Sequence, residues 1–215
     1  MCGRYEIQAS PESLIALFDL ESDGLRVDAE ALCDRPEVRP SNEVLVVLNQ
    51  EPTRLQSAAW GYIDTWSERL RPFNARDDKL LGRSWHTAFE TRRCLIPATA
   101  FFEWRVVPGQ KRKQPVRFSM RDKAPFCFAG LWNRVQGRLS CTIITTKPST
   151  LVAPVHDRMP AILSASDRAV WMRPGVVDSG ECLKPFPSEL MVGEDVDPSL
   201  RSGALTRAPP QLKLF

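Results

Sequence analysis

Histidine and tyrosine are scarce in this chain, with two of each in 215 residues, and neither His86 nor His156 stands beside a cysteine pair. The six cysteines (Cys2, Cys33, Cys94, Cys127, Cys141 and Cys182) form no C-x-x-C spacing. A structural zinc site needs closely spaced nitrogen and sulfur ligands, so no metal is expected, and no other cofactor is called for. Cys94, Cys127 and Cys141 lie inside apolar runs and read as buried thiols of a reducing cell rather than as a disulfide framework. No apolar stretch reaches the roughly 20 residues of a membrane helix. The N-terminus lacks the basic segment followed by an apolar one that marks a secretory leader. A cytoplasmic protein without membrane partners is expected, and a monomer. There is no internal repeat and no linker between two halves, and 43% hydrophobic residues are enough for one domain with a real core.

Charge of one sign is also lacking overall, since the net charge is only +3, but its distribution is uneven. From Pro52 to Arg158 there are 19 Lys and Arg against 8 Asp and Glu, a net +11, while the remainder holds 10 against 18, a net −8. A basic middle favours a polyanionic partner such as nucleic acid, although a single basic stretch is more commonly just a solvated face.

Hydrophobic patterning predicts a mixed fold. Ser10-Pro11-Glu12 is a helix start, and Leu14, Ile15, Leu17 and Phe18 follow at helical spacing. The acidic stretch from Glu21 to Glu37 has no strong period and reads as a surface loop ending at Pro36 and Pro40. Val44 to Leu48 and Gln56 to Ile63 read as two strands of a hairpin turning near Gln50-Glu51-Pro52. A helix is expected to carry Leu81, Trp85, Ala88 and Phe89 on one face, with Arg92-Arg93 at its C-terminal end. Extended segments follow at 94–97, 100–104, 115–120, 126–132 and 140–146. Ser164 caps a helix that runs through Trp171-Met172 to a stop at Pro174-Gly175, and a short helix starts at Pro187-Ser188-Glu189. The whole is read as α+β, a single domain of strongly twisted, mainly antiparallel strands, barrel-like, with peripheral helices. It spans residues 1–200 and is followed by a polar tail over 201–215.

The chemistry begins at Met1-Cys2-Gly3-Arg4. Cysteine is small enough for initiator methionine to be removed, which leaves Cys2 with an α-amine beside its thiol. These groups titrate near pH ~8 and ~8.5, so both are nucleophiles after modest tuning. The amine can form an imine with an aldehyde and the thiol can then close a thiazolidine ring, whereas a thiol alone would attack an acyl group. Three further places stand out. Glu103 sits between Phe102 and Trp104 on an apolar strand, where a carboxylate either faces water or carries a raised pKa. His156, within Val155-His156-Asp157-Arg158-Met159-Pro160, lies in a charged turn and carries protons near neutrality. Asn74-Ala75-Arg76 offers an amide and a guanidinium at a loop-helix junction. His86 has no motif around it and receives no role.

In order along the chain, Met-Cys-Gly-Arg, Trp60-Gly61, Asn74-Ala75-Arg76, Arg93-Cys94-Leu95-Ile96-Pro97, Phe102-Glu103-Trp104, Phe128-Ala129-Gly130-Leu131-Trp132, Thr145 and His156-Asp157-Arg158-Met159-Pro160 resemble the SRAP (SOS-response-associated peptidase) family. The resemblance runs from Cys2 to about Met191. It implies a protein that shields abasic sites in single-stranded DNA through a covalent thiazolidine between the N-terminal cysteine and the ring-opened sugar. By the same resemblance Cys2 is the crosslinking residue, and Asn74, Glu103 and His156 line its site. Arg4, Pro40, Trp66, Arg76, Thr145 and Arg158 are expected along the DNA. Two rivals remain open: an N-terminal-cysteine amidohydrolase or peptidase, and a non-covalent single-stranded-DNA-binding module.

The chain departs from the family pattern in places. Where members often carry Tyr-Asn-x-Ala-Pro, it has Pro36-Glu37-Val38-Arg39-Pro40. The acidic residue two positions after Arg76 is Asp78 rather than the commoner Glu, and Trp66 stands alone where a pair is frequent. Beyond the family core, Gln211-Leu212-Lys213-Leu214-Phe215 resembles the peptide by which bacterial repair proteins dock on the sliding clamp. Gln211 would meet a polar rim, and Leu212, Leu214 and Phe215 apolar pockets.

Overall fold

The protein is described by a computed structural model over residues 2–21, 24–25, 27–64, 72–173 and 179–197. Along the chain come β1 (Tyr5–Gln8), α1 (Pro11–Phe18), β2 (Asp34–Val38), β3 (Glu43–Leu48), β4 (Glu51–Trp60), β5 (Asn74–Arg76), α2 (His86–Thr91), β6 (Arg93–Ala98), β7 (Ala100–Arg105), β8 (Gln114–Met120), β9 (Phe126–Val135), β10 (Arg138–Thr146), β11 (Met159–Pro160), α3 (Ala165–Met172) and β12 (Met191–Asp195).

Val44 to Leu48 are buried without alternation, as befits a strand covered on both faces. β3 turns through Asn49 and Gln50 into β4 as an antiparallel hairpin with Val46 opposite Gln56. From there the sheet passes through β6 and β9 to β10, and β10 pairs in parallel with β4 at Ser140–Ala59. The five strands therefore close into a barrel, which leaves no free edge among them. Gly130 makes the inside of that barrel possible. A Cβ there would lie 2.8 Å from Ile96 Cδ1, 2.9 Å from Cys94 Sγ and 2.9 Å from the Thr142 carbonyl oxygen. A second sheet, in the order β12-β8-β7-β1-β2, is antiparallel throughout. It packs on the barrel through Tyr5, whose ring meets Trp60 at 5.3 Å and Phe128 at 5.6 Å, both edge-on. All six cysteines are buried and free.

The helix starts follow their sequence signals. Ser10 Oγ accepts the Ser13 N–H at 3.2 Å, and Ser164 Oγ accepts that of Asp167 at 3.2 Å. The stop at Pro174-Gly175 lies outside the described residues. Two expectations are corrected. The stretch read as an acidic loop contains a 3₁₀ turn over Val27–Leu32 and the strand β2, with Pro36 inside the strand. β2 is an edge strand, which is where a proline is tolerated. The helix expected to carry Leu81 is shorter: residues 77–85 run as a 3₁₀ turn and further turns, and Leu81 is 75% exposed, while Ala88 and Phe89 do enter the core. No helix among the described residues is long and apolar enough to cross a membrane.

Candidate active site

The site lies at the seam between the two sheets. β1 pairs with β7 at Tyr5–Phe101 and Glu6–Ala100, and the ladder continues with the Phe102 N–H donating to the Arg4 carbonyl at 3.0 Å. This register carries the start of the chain to Glu103. Cys2 is only 1% exposed, and its thiol donates to the Arg4 carbonyl at 3.5 Å. Burial pushes that thiol far above its ordinary range, and the Glu103 charge pushes it further. At neutral pH the sulfur is therefore protonated.

The barrel supplies the opposite wall. β5 lies parallel to β10, with Asn74 beside Ile143 and Arg76 beside Thr145. The Asn74 amide donates from Nδ2 to the Cys2 carbonyl at 2.7 Å, a bond spanning 72 positions of sequence. Asn74 is buried and its Oδ1 has no hydrogen-bond partner among the described residues. A buried acceptor of this kind is costly unless something met in function satisfies it. Thr145 is fully buried, and its hydroxyl donates to the Ala75 carbonyl at 3.4 Å.

Glu103 and His156 face each other across the seam, with Oε2 and Nε2 3.8 Å apart. His156 is set by its turn. Its N–H donates to the Val152 carbonyl at 3.0 Å, and its Nδ1 accepts the Arg158 N–H at 3.0 Å. The same Nδ1 lies 3.0 Å from Asp157 Oδ1, and Nε2 is the nitrogen turned toward Glu103. Burial raises the Glu103 pKa to about 7. Burial also lowers the His156 pKa below its ordinary value. A carboxyl raised to about 7 and an imidazole held below its ordinary value thus face each other, and the Glu103 charge reaches the Cys2 thiol.

The arginines fall into three situations. Arg4 is buried, with its guanidinium 4.7 Å over the Phe102 ring and its Nε 3.2 Å from Glu37 Oε1. Arg76 is exposed and grips Asp78 with two bonds, at 2.9 and 2.7 Å, which holds the Asp78 carboxyl down at about 2. Arg158 is buried and donates to Asp77 Oδ1 at 2.6 Å and to the Thr145 carbonyl. Asp77 also accepts from Thr146 Oγ1 at 2.7 Å, so this one carboxylate joins β10 to the turn that carries His156. Sequence reasoning missed both Asp77 and Glu37. Asp77 was masked by the adjacent Asp78, and only its pairing across 81 positions distinguishes the two. Pro40 lies half-buried in the turn between β2 and β3. His86 is exposed and pairs with Glu90 at 3.3 Å, away from the seam residues. Trp66 and the tail residues Gln211, Leu212, Leu214 and Phe215 lie outside the described residues. No group of three or more His, Cys, Asp or Glu able to hold a metal ion occurs among the described residues.

Comparison with known proteins adds a family. The model described as SOS response associated peptidase (SRAP) matches residues 1–202. The abasic site processing protein YoqW of Bacillus subtilis is 32% identical over 216 residues, covering 94% of this chain and 95% of the relative. The abasic site processing protein YedK of Escherichia coli is 29% identical over 181 residues, covering 80% of each. The abasic site processing protein HMCES of Xenopus tropicalis is 29% identical over 60% of this chain and 48% of its own length. A crystal structure of a protein from Bacteroides thetaiotaomicron superposes with a TM-score of 0.82 at 24% identity, covering 96% of this chain and 95% of the other, a likeness of fold.

Proposed function

Because the chain belongs to the SOS response associated peptidase family, we propose that it senses abasic sites in single-stranded DNA and captures them covalently through Cys2, shielding the lesion. The observation that carries this reading is the setting of Cys2. It is buried, feels the charge of Glu103, which faces His156, and is held by Asn74 through its carbonyl. The names of the Bacillus and Escherichia relatives support the same lesion.

The chemistry proceeds from removal of Met1, which turns the Cys2 nitrogen into an amine. With the thiol held protonated by burial, the amine is the first nucleophile. It adds to the C1′ aldehyde of the ring-opened deoxyribose, and loss of water leaves an imine. The S–H then adds across the C=N bond: a C–S bond forms, the proton passes to nitrogen and the thiazolidine closes, so one water is lost in all. Glu103 takes the proton from the attacking amine and returns it to the departing hydroxyl, a shuttle suited to a carboxyl titrating at about 7. His156 donates from Nε2 to the sugar oxygen during ring opening. Asn74 Oδ1 accepts from the amine or a sugar hydroxyl, which satisfies its buried oxygen. Arg4 and Arg76 meet flanking phosphates, Pro40 and Trp66 contact the DNA, and Arg158, buried on Asp77 and Thr145, supports the site from behind. The protein works as a cytoplasmic monomer, with its tail docking on the sliding clamp.

The direct test is incubation with a single-stranded oligonucleotide holding one abasic site, followed by denaturing electrophoresis. A heat-stable adduct is expected from the wild type and none from Cys2→Ala. No adduct with the wild type, or an adduct that survives Cys2→Ala, would sink covalent capture by Cys2.

A further inference from the structure

Arg4 is a buried cation in an unusual position. Its side chain is 8% exposed, one face lies on the Phe102 ring, and its Nη2 is buried without a hydrogen-bond partner among the described residues. A charge removed from water needs a counter-charge. Glu37 provides it from the neighbouring strand β2, with its carboxylate 15% exposed and Oε1 3.2 Å from Arg4 Nε. The same oxygen accepts from Arg39 Nε at 2.5 Å. Arg39 follows Glu37 by two positions, hence on the same face of the chain, and is 59% exposed. The Arg39 backbone N–H is fixed by Asn42 Oδ1 at 2.9 Å. One carboxylate oxygen thus stands between an inner and an outer guanidinium, hydrogen-bonded to the outer one, while both Nε and Nη2 of the inner one are without a hydrogen bond among the described residues.

We propose that Glu37 is a built-in competitor for DNA, its carboxylate occupying the seat between Arg4 and Arg39 that a backbone phosphate takes on binding. Resting on the reading above that Arg4 faces DNA, this adds a residue that sets affinity. A phosphate offers more acceptor oxygens than the one Glu37 uses, so it can reach the idle Nη2 as well as both Nε groups. Glu37 keeps Arg4 neutralised while DNA is absent, and then has to turn away. Phosphate binding at this seat carries that cost.

The test measures binding of an undamaged single-stranded oligonucleotide across a salt series. Glu37→Gln keeps the shape and removes the competing charge. It is expected to tighten binding by about 3- to 10-fold, because the carboxylate no longer has to turn away, and to leave the slope of log K against log salt unchanged, because the same phosphate is seated in both proteins. Unchanged affinity overturns the proposal. Weaker binding by a variant that melts like the wild type does so too, since it would make Glu37 a brace. Should Glu37→Gln fail to fold, Arg39→Gln gives the second arm. Loss of the outer cation is expected to weaken binding and flatten the slope by about 0.7, and an unchanged slope overturns the proposal. Failure of all proteins to bind the oligonucleotide also overturns it. Adduct formation on an abasic oligonucleotide, run in parallel, separates the two ideas. A Glu37 effect without adduct refutes capture alone, and adduct without a Glu37 effect refutes competition alone.

Discussion

Glu103 is a carboxylate placed where burial works against its charge. A carboxyl 2% exposed between two sheets keeps its proton up to about pH 7, against an ordinary value of 4.5. As a base it works only when ionised, so capture is expected to accelerate as pH rises through about 7 and then level off, and Glu103→Gln should be slower and lack that inflection. A pH series of adduct rates decides this, and an inflection that survives in Glu103→Gln removes the carboxyl from the mechanism. The same shift acts on stability with a definite sign. The native state holds a proton between 4.5 and about 7 that the unfolded chain releases, so this group's contribution is full below 4.5 and is lost as pH rises through about 7. Cys2 and Glu103 were visible in the sequence because each is anomalous among its immediate neighbours, an early cysteine and an acid within an aromatic strand. Asp77 and Glu37 were not, because what singles them out is a partner on another strand or turn: Arg158 for one, Arg4 for the other.

Elements were legible where burial follows a local rule. The apolar runs of β3, β6, β9 and β10 and the caps of α1 and α3 could be read directly. β1, β2 and β12 were not, being short, partly polar strands whose place is set by the strands beside them. Arg93 shows how one element holds others. Read as the basic end of a helix, it is the first residue of β6 and fully buried, its guanidinium 5.8 Å over the Trp171 ring. It does serve the helix end. It donates to the Phe89 and Glu90 carbonyls at 2.8 and 2.6 Å, and also to Trp171 at 2.7 Å and to Arg173, tying the C-terminal ends of α2 and α3 to the barrel. Arg93→Met keeps the packing volume but leaves those carbonyls without a donor. A loss of about 3 kcal/mol or more is expected, seen as a melting temperature lower by roughly 10 °C. A loss under about 1 kcal/mol would mean that water replaces the guanidinium.

At the scale of the molecule, the barrel closes through a parallel contact between β4 and β10, strands more than seventy residues apart. Hydrophobic patterning indicates that strands exist but carries no record of which distant ones pair, so closure was foreseen in kind and not in connection. That closure places Asn74 against Cys2, and every residue assigned to the chemistry or to DNA lies before position 159, so the last five residues are expected to be separable from the chemistry. The Ala208-Pro209-Pro210 sequence before Gln211 is of a composition that favours an extended spacer. Deleting residues 211–215 should abolish retention on immobilised sliding clamp and leave the adduct yield and melting temperature unchanged. Alanine at Leu212, Leu214 and Phe215 together should do the same, since those side chains supply the apolar anchors. Retention by the truncated protein would refute clamp docking through the tail. A fall in adduct yield together with melting temperature would instead mean that the tail packs on its own domain.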